Sequence, residues 1–399
     1  MICGVAKSSI RADRLLFDIL PPILFLTLSG LECAYPFSDR YAVVPFLLSI
    51  FLAGLPHGAI DLAVNSQLAG RSGLCHKLSD FKIYLGWITI SLIVALVTPL
   101  CALIVFAGFS VVHFGAADVA YWASPGRSDR WATVEAVIRG ILILTLPFTF
   151  HSAPATHVAN SVLNILGSMS TINSETMQLI CSFLTIFAGG IAALCVGRLT
   201  RVGQSRPAYG LIFDLVILVV AFWVLHPLFA MGLYFLFIHS WRHIRRLIEF
   251  LGYDDRPLGV SFAFIHLRSL PLLIPTMFLI VGLLSWRSME TSPANLVIAS
   301  LAVYVVVTPA HHFLVQQIPS ENSEPNQRWK SSNRDCSLKR NLIHVHVGLY
   351  DGVENPSTGG VPARRILDHL GYTVIPKGDE GPSVPLSLKD VFADQPDRR

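Results

Sequence analysis

Apolar runs long enough to cross a bilayer recur through the first 318 residues, and this constrains the fold more than any other feature of the chain. A spanning helix needs about 20 mainly apolar residues. Inside the hydrocarbon no water is present to satisfy the backbone, so only helices and closed barrels are possible there. No ten-residue alternating pattern of the barrel kind occurs. Charged residues make up 14% of the chain, against roughly a quarter in an ordinary soluble domain. The expectation is an all-α, polytopic transmembrane bundle embedded in a lipid bilayer.

Polar, Pro and Gly punctuation divides the apolar stretches into about ten spans, near residues 15–32, 41–63, 81–98, 100–122, 131–150, 176–197, 209–225, 227–250, 268–286 and 294–318. Thr98-Pro99 and His226-Pro227 mark tight hairpins, because proline cannot continue the preceding helix without losing a backbone bond. The piece from Pro257 to Arg268 reads as a shallow interfacial helix, and 151–175 as an outer loop. The first run, preceded by Lys7, Arg11 and Arg14, is expected to stay as an uncleaved helix. Lys and Arg cluster in alternate loops, with only Arg40 and Arg287 on the opposite side. The positive-inside rule then puts both termini in the cytoplasm and predicts a multi-pass protein of the cell (cytoplasmic) membrane.

Composition changes after residue 318. Residues 1–318 form the helical, chemistry-bearing domain, and 319–399 read as a polar, largely disordered cytoplasmic tail with no assigned chemistry. The seven cysteines are scattered without a CxxC, which argues against a disulfide framework or zinc knuckle. The net charge of +4 is accounted for by topology, and no basic patch points to nucleic acid.

Of the fourteen histidines, His76, His151, His157, His226, His344, His346 and His369 fall in loops, at a hairpin or in the tail. Others lie inside spans: His57 in "GLPHGAID", His113 in "VVHFGAAD", His239 and His243 in "IHSWRH", and His311 with His312 in "TPAHHF". Their spans, the second, fourth, eighth and tenth, all run in one direction. At 1.5 Å per residue, His57, His113, His239, His243 and His311 lie about 18 to 26 Å below the outer helix starts. Four helices thus deliver imidazoles to one layer, and intramembrane ionisable residues are functional candidates by default.

Metal chemistry suits such a layer. His239 and His243, at i and i+4, project from one helix face, and neutral imidazole favours Fe, Zn or Cu over Mg or Ca. Asp61, four residues after His57, and Asp118, five after His113, are candidates to accept the second ring N–H of a liganding histidine. Gly58 and Gly115, beside those histidines, allow close backbone approach. Glu135 and Arg139 read as a self-neutralising pair, while Arg242, Arg245 and Arg246 are expected to snorkel to the surface.

These elements, in this order on a polytopic chain, resemble the bacterial and archaeal Brp/Blh family of β-carotene 15,15′-dioxygenases over residues 40 to 318. The resemblance implies a non-haem Fe(2+) enzyme that uses O₂ to cut the central double bond of β-carotene into two molecules of retinal. It further implies iron ligands at His57, His113, His239 and His243, with His311 and His312 lining the site. A functional link to a retinal-binding rhodopsin follows from the product. Phe114, Phe235, Phe237, Trp241 and Phe313 would offer aromatic surface to a polyene.

Three alternatives remain open on the residues alone, one of them a transporter with buried histidines as proton relays, which would need midplane helix breaks where the only candidates are the hairpin prolines. A membrane di-iron desaturase or hydroxylase would need about eight histidines in HxxxH and HxxHH clusters, whereas HxxxH occurs once among these spans. A b-type haem protein, not an enzyme, would show a Soret band.

Overall fold

The protein is described by a computed structural model covering residues 19–69, 81–122, 130–254 and 256–318. The expected tail beyond 318 and the basic N-terminal residues lie outside the described residues. Among those described the regular structure is entirely helical. In chain order the helices are α1 (Leu20–Ala34), α2 (Val44–Leu68), α3 (Lys82–Val97), α4 (Pro99–Trp122), α5 (Arg130–Phe150), α6 (Ser152–Ile165), α7 (Ser174–Arg201), α8 (Ser205–Val224), α9 (227–250), α10 (Leu258–Trp286) and α11 (Pro293–Val315).

Seven of these, α2, α4, α5, α7, α8, α10 and α11, are long and apolar enough to cross a membrane. The other three expected spans correspond to α1 and α3, of 15 and 16 residues, and to α9, whose second half carries Arg242, Arg245 and Arg246. The Thr98-Pro99 and His226-Pro227 hairpins occur as expected between α3 and α4 and between α8 and α9.

Two expectations are corrected. The piece from Pro257 to Arg268 is no separate interfacial helix; it opens the 29-residue α10, which runs on through Pro271 and Pro275. The expected outer loop contains α6, pinned to the start of α7 by Ser152 Oγ donating to the Ser174 carbonyl (2.5 Å) and by Asn160, which exchanges two bonds with Ile172 (3.1 and 2.8 Å). Asn173 then caps α7 by accepting from the Thr176 amide at 2.9 Å.

Helices α2 and α9 each contain a widened turn just before or at their histidines. In α2 the turn spans Ile50–Gly54, and the Leu55 amide reaches back five residues to the Ile50 carbonyl. Pro56 explains it: a proline has no N–H for the carbonyl four residues earlier and its ring crowds that carbonyl. That carbonyl belongs to Leu52, and His266 Nε2 of α10 lies 2.9 Å from it, standing in for the missing donor. In α9 the wide turn is Tyr234–His239, where the Ser240 amide bonds the Phe235 carbonyl. Single wide turns of this kind are frequent at functional sites.

Helices α4 and α5 approach until backbone meets backbone. A Cβ added to Gly115 of α4 would overlap the Ala136 carbonyl of α5, and one added to Gly140 of α5 would overlap the Val111 carbonyl of α4. The small-residue role expected of Gly115 therefore holds. Gly58 differs, because a Cβ there meets nothing within 4 Å. Gly140→Ala is expected to cost about 1–3 kcal/mol, as overpacking of a close contact does. A thermal midpoint in detergent equal to that of the parent protein would remove this contact from the account.

The buried apolar side chains form three clusters. One joins α4, α5, α7, α8 and α9 around Leu142, Leu211 and Phe222. A second joins α2, α4, α6, α10 and α11 around Phe46, Ala102 and Val303, and a third gathers Ile60, Ile244 and Leu314. The histidine-bearing parts of α2, α4, α9 and α11 lie among them.

Candidate metal centre

The histidines of the four helices come together and are buried: His57 at 8% exposure, His113 at 4%, His239 and His243 at 1%, His311 at 7% and His312 at 4%. Ring centroids of His57 stand 5.7, 5.1 and 5.4 Å from those of His239, His243 and His311. His113 stands 5.1, 6.0 and 5.0 Å from the same three. His239 and His243 are parallel within 3°, one turn apart at 6.3 Å. His312 lies further to one side, 5.9 Å from His113 and edge-on to Phe109.

Hydrogen bonds decide several tautomers. His57 Nδ1 lies 2.9 Å from the Ala53 carbonyl, which can only accept. Its proton is therefore on Nδ1 and the Nε2 lone pair is free to ligate. Nitrogens of His57, His113 and His311 all lie within 4.8 Å of one another. Two nitrogens on opposite sides of one ion are about 4.2 Å apart at ligand distances of about 2.1 Å, so a small inward movement of these rings would let them share a metal. His239 Nδ1, both ring nitrogens of His243, His311 Nε2 and His312 Nδ1 are buried with no hydrogen-bond partner among the described residues. Buried polar atoms are rarely left so, and a cation bound among the rings would satisfy lone pairs that nothing else reaches. The donor set, all imidazole, suits Fe, Zn or Cu.

The carboxylates take partners that the spacing did not predict. Asp61 accepts from His311 Nδ1, at 2.9 and 3.0 Å from its two oxygens, and not from His57 on its own helix. The Tyr84 hydroxyl also bonds it. Asp118 has no hydrogen bond to a histidine among the described residues. It accepts from Arg242 Nη1 at 2.8 Å and from the Tyr234 hydroxyl at 3.2 Å. Arg242 does not snorkel. Only 7% exposed, it bridges Asp118 of α4 to Asp214 of α8, the latter through bonds of 2.8 and 3.0 Å. The aromatic rings of Tyr121 and Trp122 lie 4.6 and 5.4 Å from its guanidinium carbon.

Arg139 extends the same network, pairing with Asp214 at 2.6 Å as well as with Glu135 at 3.1 Å. The pair expected to neutralise itself thus belongs to a buried set of two guanidinium groups and three carboxylates. Tyr234 couples this set to the histidines, since its ring stacks on His239 at 6.0 Å. Arg245, by contrast, is partly exposed and pairs with Glu249 at 3.4 Å, and Arg246 bonds the Ile318 carbonyl.

One wall of a cavity is made by His57, His113, His239 and His311, and the rest is mainly apolar: Phe46, Leu55, Phe106, Phe114, Phe235 and Leu301 among others. The cavity volume is about 160 Å³. Gly58 borders it, which accounts for the open space beside that residue. Of the aromatics expected along a polyene, Phe114 and Phe235 line this cavity. Phe313 instead stacks on Trp87, and Trp241 packs against Phe262.

Sequence reasoning passed over Asp214, Tyr84, Tyr234 and His266. Asp214 left a signal, a lone carboxylate inside the apolar run "LIFDLVIL". His266 left a fainter one, the carbonyl that Pro56 orphans.

No solved structure matches the chain. A curated relative, a beta-carotene 15,15′-dioxygenase from an uncultured marine bacterium 66A03, is 28% identical over 198 residues, a match covering 49% of this chain and 66% of the relative. The family model described as beta-carotene 15,15′-dioxygenase matches residues 48–318, a stretch that opens just before the wide turn of α2 and closes just after α11, and so contains every histidine of the cluster. Bearing that match over more than half its length, this multi-helix membrane protein belongs to the beta-carotene 15,15′-dioxygenase family.

Proposed function

We propose that the protein is a membrane-embedded non-haem iron dioxygenase that cleaves the central 15,15′ double bond of β-carotene with O₂, giving two molecules of retinal with one oxygen atom in each. The observation that carries this reading is the convergence of buried imidazoles from four helices on the wall of an apolar cavity. His57, His113, His239 and His243 would hold Fe(2+), and bound there the ion would supply the means of activating O₂.

The chain's own part is positioning and exclusion. Phe46, Phe106, Phe114 and Phe235 give the cavity a lining that a hydrocarbon polyene can occupy without leaving any polar group of its own unsatisfied. The same lining keeps water from reactive species. The proton fixed on His57 Nδ1 by the Ala53 carbonyl keeps that ring a neutral donor. A substrate that dissolves in the bilayer can enter laterally, so no water-filled channel is required. The cell membrane is the proposed location, and a retinal-binding rhodopsin is a natural consumer of the product.

Expression in a host that accumulates β-carotene is expected to bleach the orange pigment and yield retinal, with one iron per purified chain. Unchanged pigment beside well-folded protein would overturn the reading, and two irons per chain would favour a di-iron enzyme instead.

A further inference from the structure

We propose that His311 is a fifth imidazole ligand of the metal, aimed by Asp61. The proposal rests on the iron reading above and adds to it a residue from α11. Asp61 is on α2, 250 positions away in sequence, so the pair ties the last described helix to the second. Both Asp61 oxygens lie within 3.0 Å of His311 Nδ1. A carboxylate accepts, so the ring proton is on Nδ1 and the Nε2 lone pair points elsewhere. Nε2 is buried and meets no hydrogen-bond partner among the described residues. A ring nitrogen of His311 belongs, with one each from His57 and His113, to a set within 4.8 Å of one another, and Nε2 is the nitrogen of His311 that Asp61 leaves free.

A histidine held at one nitrogen by a carboxylate and left bare at the other is the arrangement by which proteins orient metal ligands and raise their basicity. A structural role for the pair, a bridge between helices, would be served by the Nδ1 bond alone. It would not require Nε2 to be placed, buried and bare, among other imidazoles. His312, the next residue, has no carboxylate partner among the described residues, and its ring packs on Phe109 and His113.

The test uses the full-length protein in detergent, stripped of metal and titrated with Co(2+), whose visible bands report on coordination independently of turnover. His311→Ala is expected to weaken cobalt binding by about a hundredfold or more and to change the band pattern, and Asp61→Asn to weaken it by about tenfold. His157→Ala, on α6 and outside the cluster, should leave both unchanged. If His311→Ala is not recovered folded, His311→Gln, which retains an N–H for Asp61 and a similar length, should show the same loss. Parental affinity and spectrum in a folded His311 variant would overturn the proposal while leaving the iron reading intact. A parent protein that binds no divalent metal would overturn both.

Discussion

His239→Ala is expected to abolish retinal formation in a β-carotene-accumulating host and to lower the iron content of the purified protein, while the protein still folds and reaches the membrane. The separation of effects follows from how α9 is held. Arg242, three residues on, anchors the helix to α4 and α8 through Asp118 and Asp214. Loss of the His239 ring removes contacts with Phe114 at 4.7 Å and with Tyr234, but leaves those ion pairs in place. The neighbouring imidazole of His243 cannot substitute, because it lies parallel and a full turn away. Extracted yield and thermal midpoint report the fold; iron per chain and retinal report the site. Full cleavage by the variant would take His239 out of the ligand set.

Arg242→Met is expected to act in the opposite order, on the fold first. The substitution leaves Asp118 without its guanidinium and Asp214 with only Arg139, all at exposures of 2% or less. Removing one partner of a buried ion pair costs about 3–5 kcal/mol, because the charge left behind is uncompensated. The variant should be lost from the membrane fraction or melt well below the parent. Adding Asp118→Asn to Arg242→Met should recover part of the loss, since it removes one of the stranded charges. Arg242→Lys should recover little, because a single ammonium cannot present a forked pair to Asp214 and a further bond to Asp118 on a different helix. Parental stability in Arg242→Met would mean that the network does not hold α9.

The same network bears on charge balance at the proposed centre. Formally its three carboxylates exceed its two guanidinium groups by one negative charge, and Asp61 adds another. A divalent cation among neutral imidazoles brings that buried total to zero, which is the condition for keeping an ion in a medium where an isolated charge is very costly.

The helical class, the hairpins and the four histidine-bearing helices were legible because they depend on local properties: apolar length, proline and position along a span. The partners of the carboxylates were not. Asp61 is four residues from His57 but bonds His311, and Asp118 is five from His113 but bonds Arg242. Spacing along one helix says which side chains share a face, not which helix that face meets. Arg242 misled for a related reason. Next to Arg245 and Arg246 it looks like one of a surface cluster, yet only its neighbours behave so, with Arg245 paired to Glu249 at the edge. The continuity of α10 was missed because Pro257 to Arg268 was set apart from the span expected at 268–286, whereas one helix runs through both.

The wide turns of α2 and α9 change the meaning of helical spacing in rotational terms. A residue advances an ordinary helix by about 100°, and a five-residue bond in place of a four-residue one takes up one extra residue without giving it a full step of its own. Every side chain after the turn is therefore rotated about the helix axis relative to those before it. In α2 the turn separates Phe46 from His57, and in α9 it separates Phe229 from His243. In α2 residues on both sides of the turn, Phe46 and His57, line the cavity, so the rotation lets one helix present side chains from either side of the turn to the same space without a loop to turn the chain.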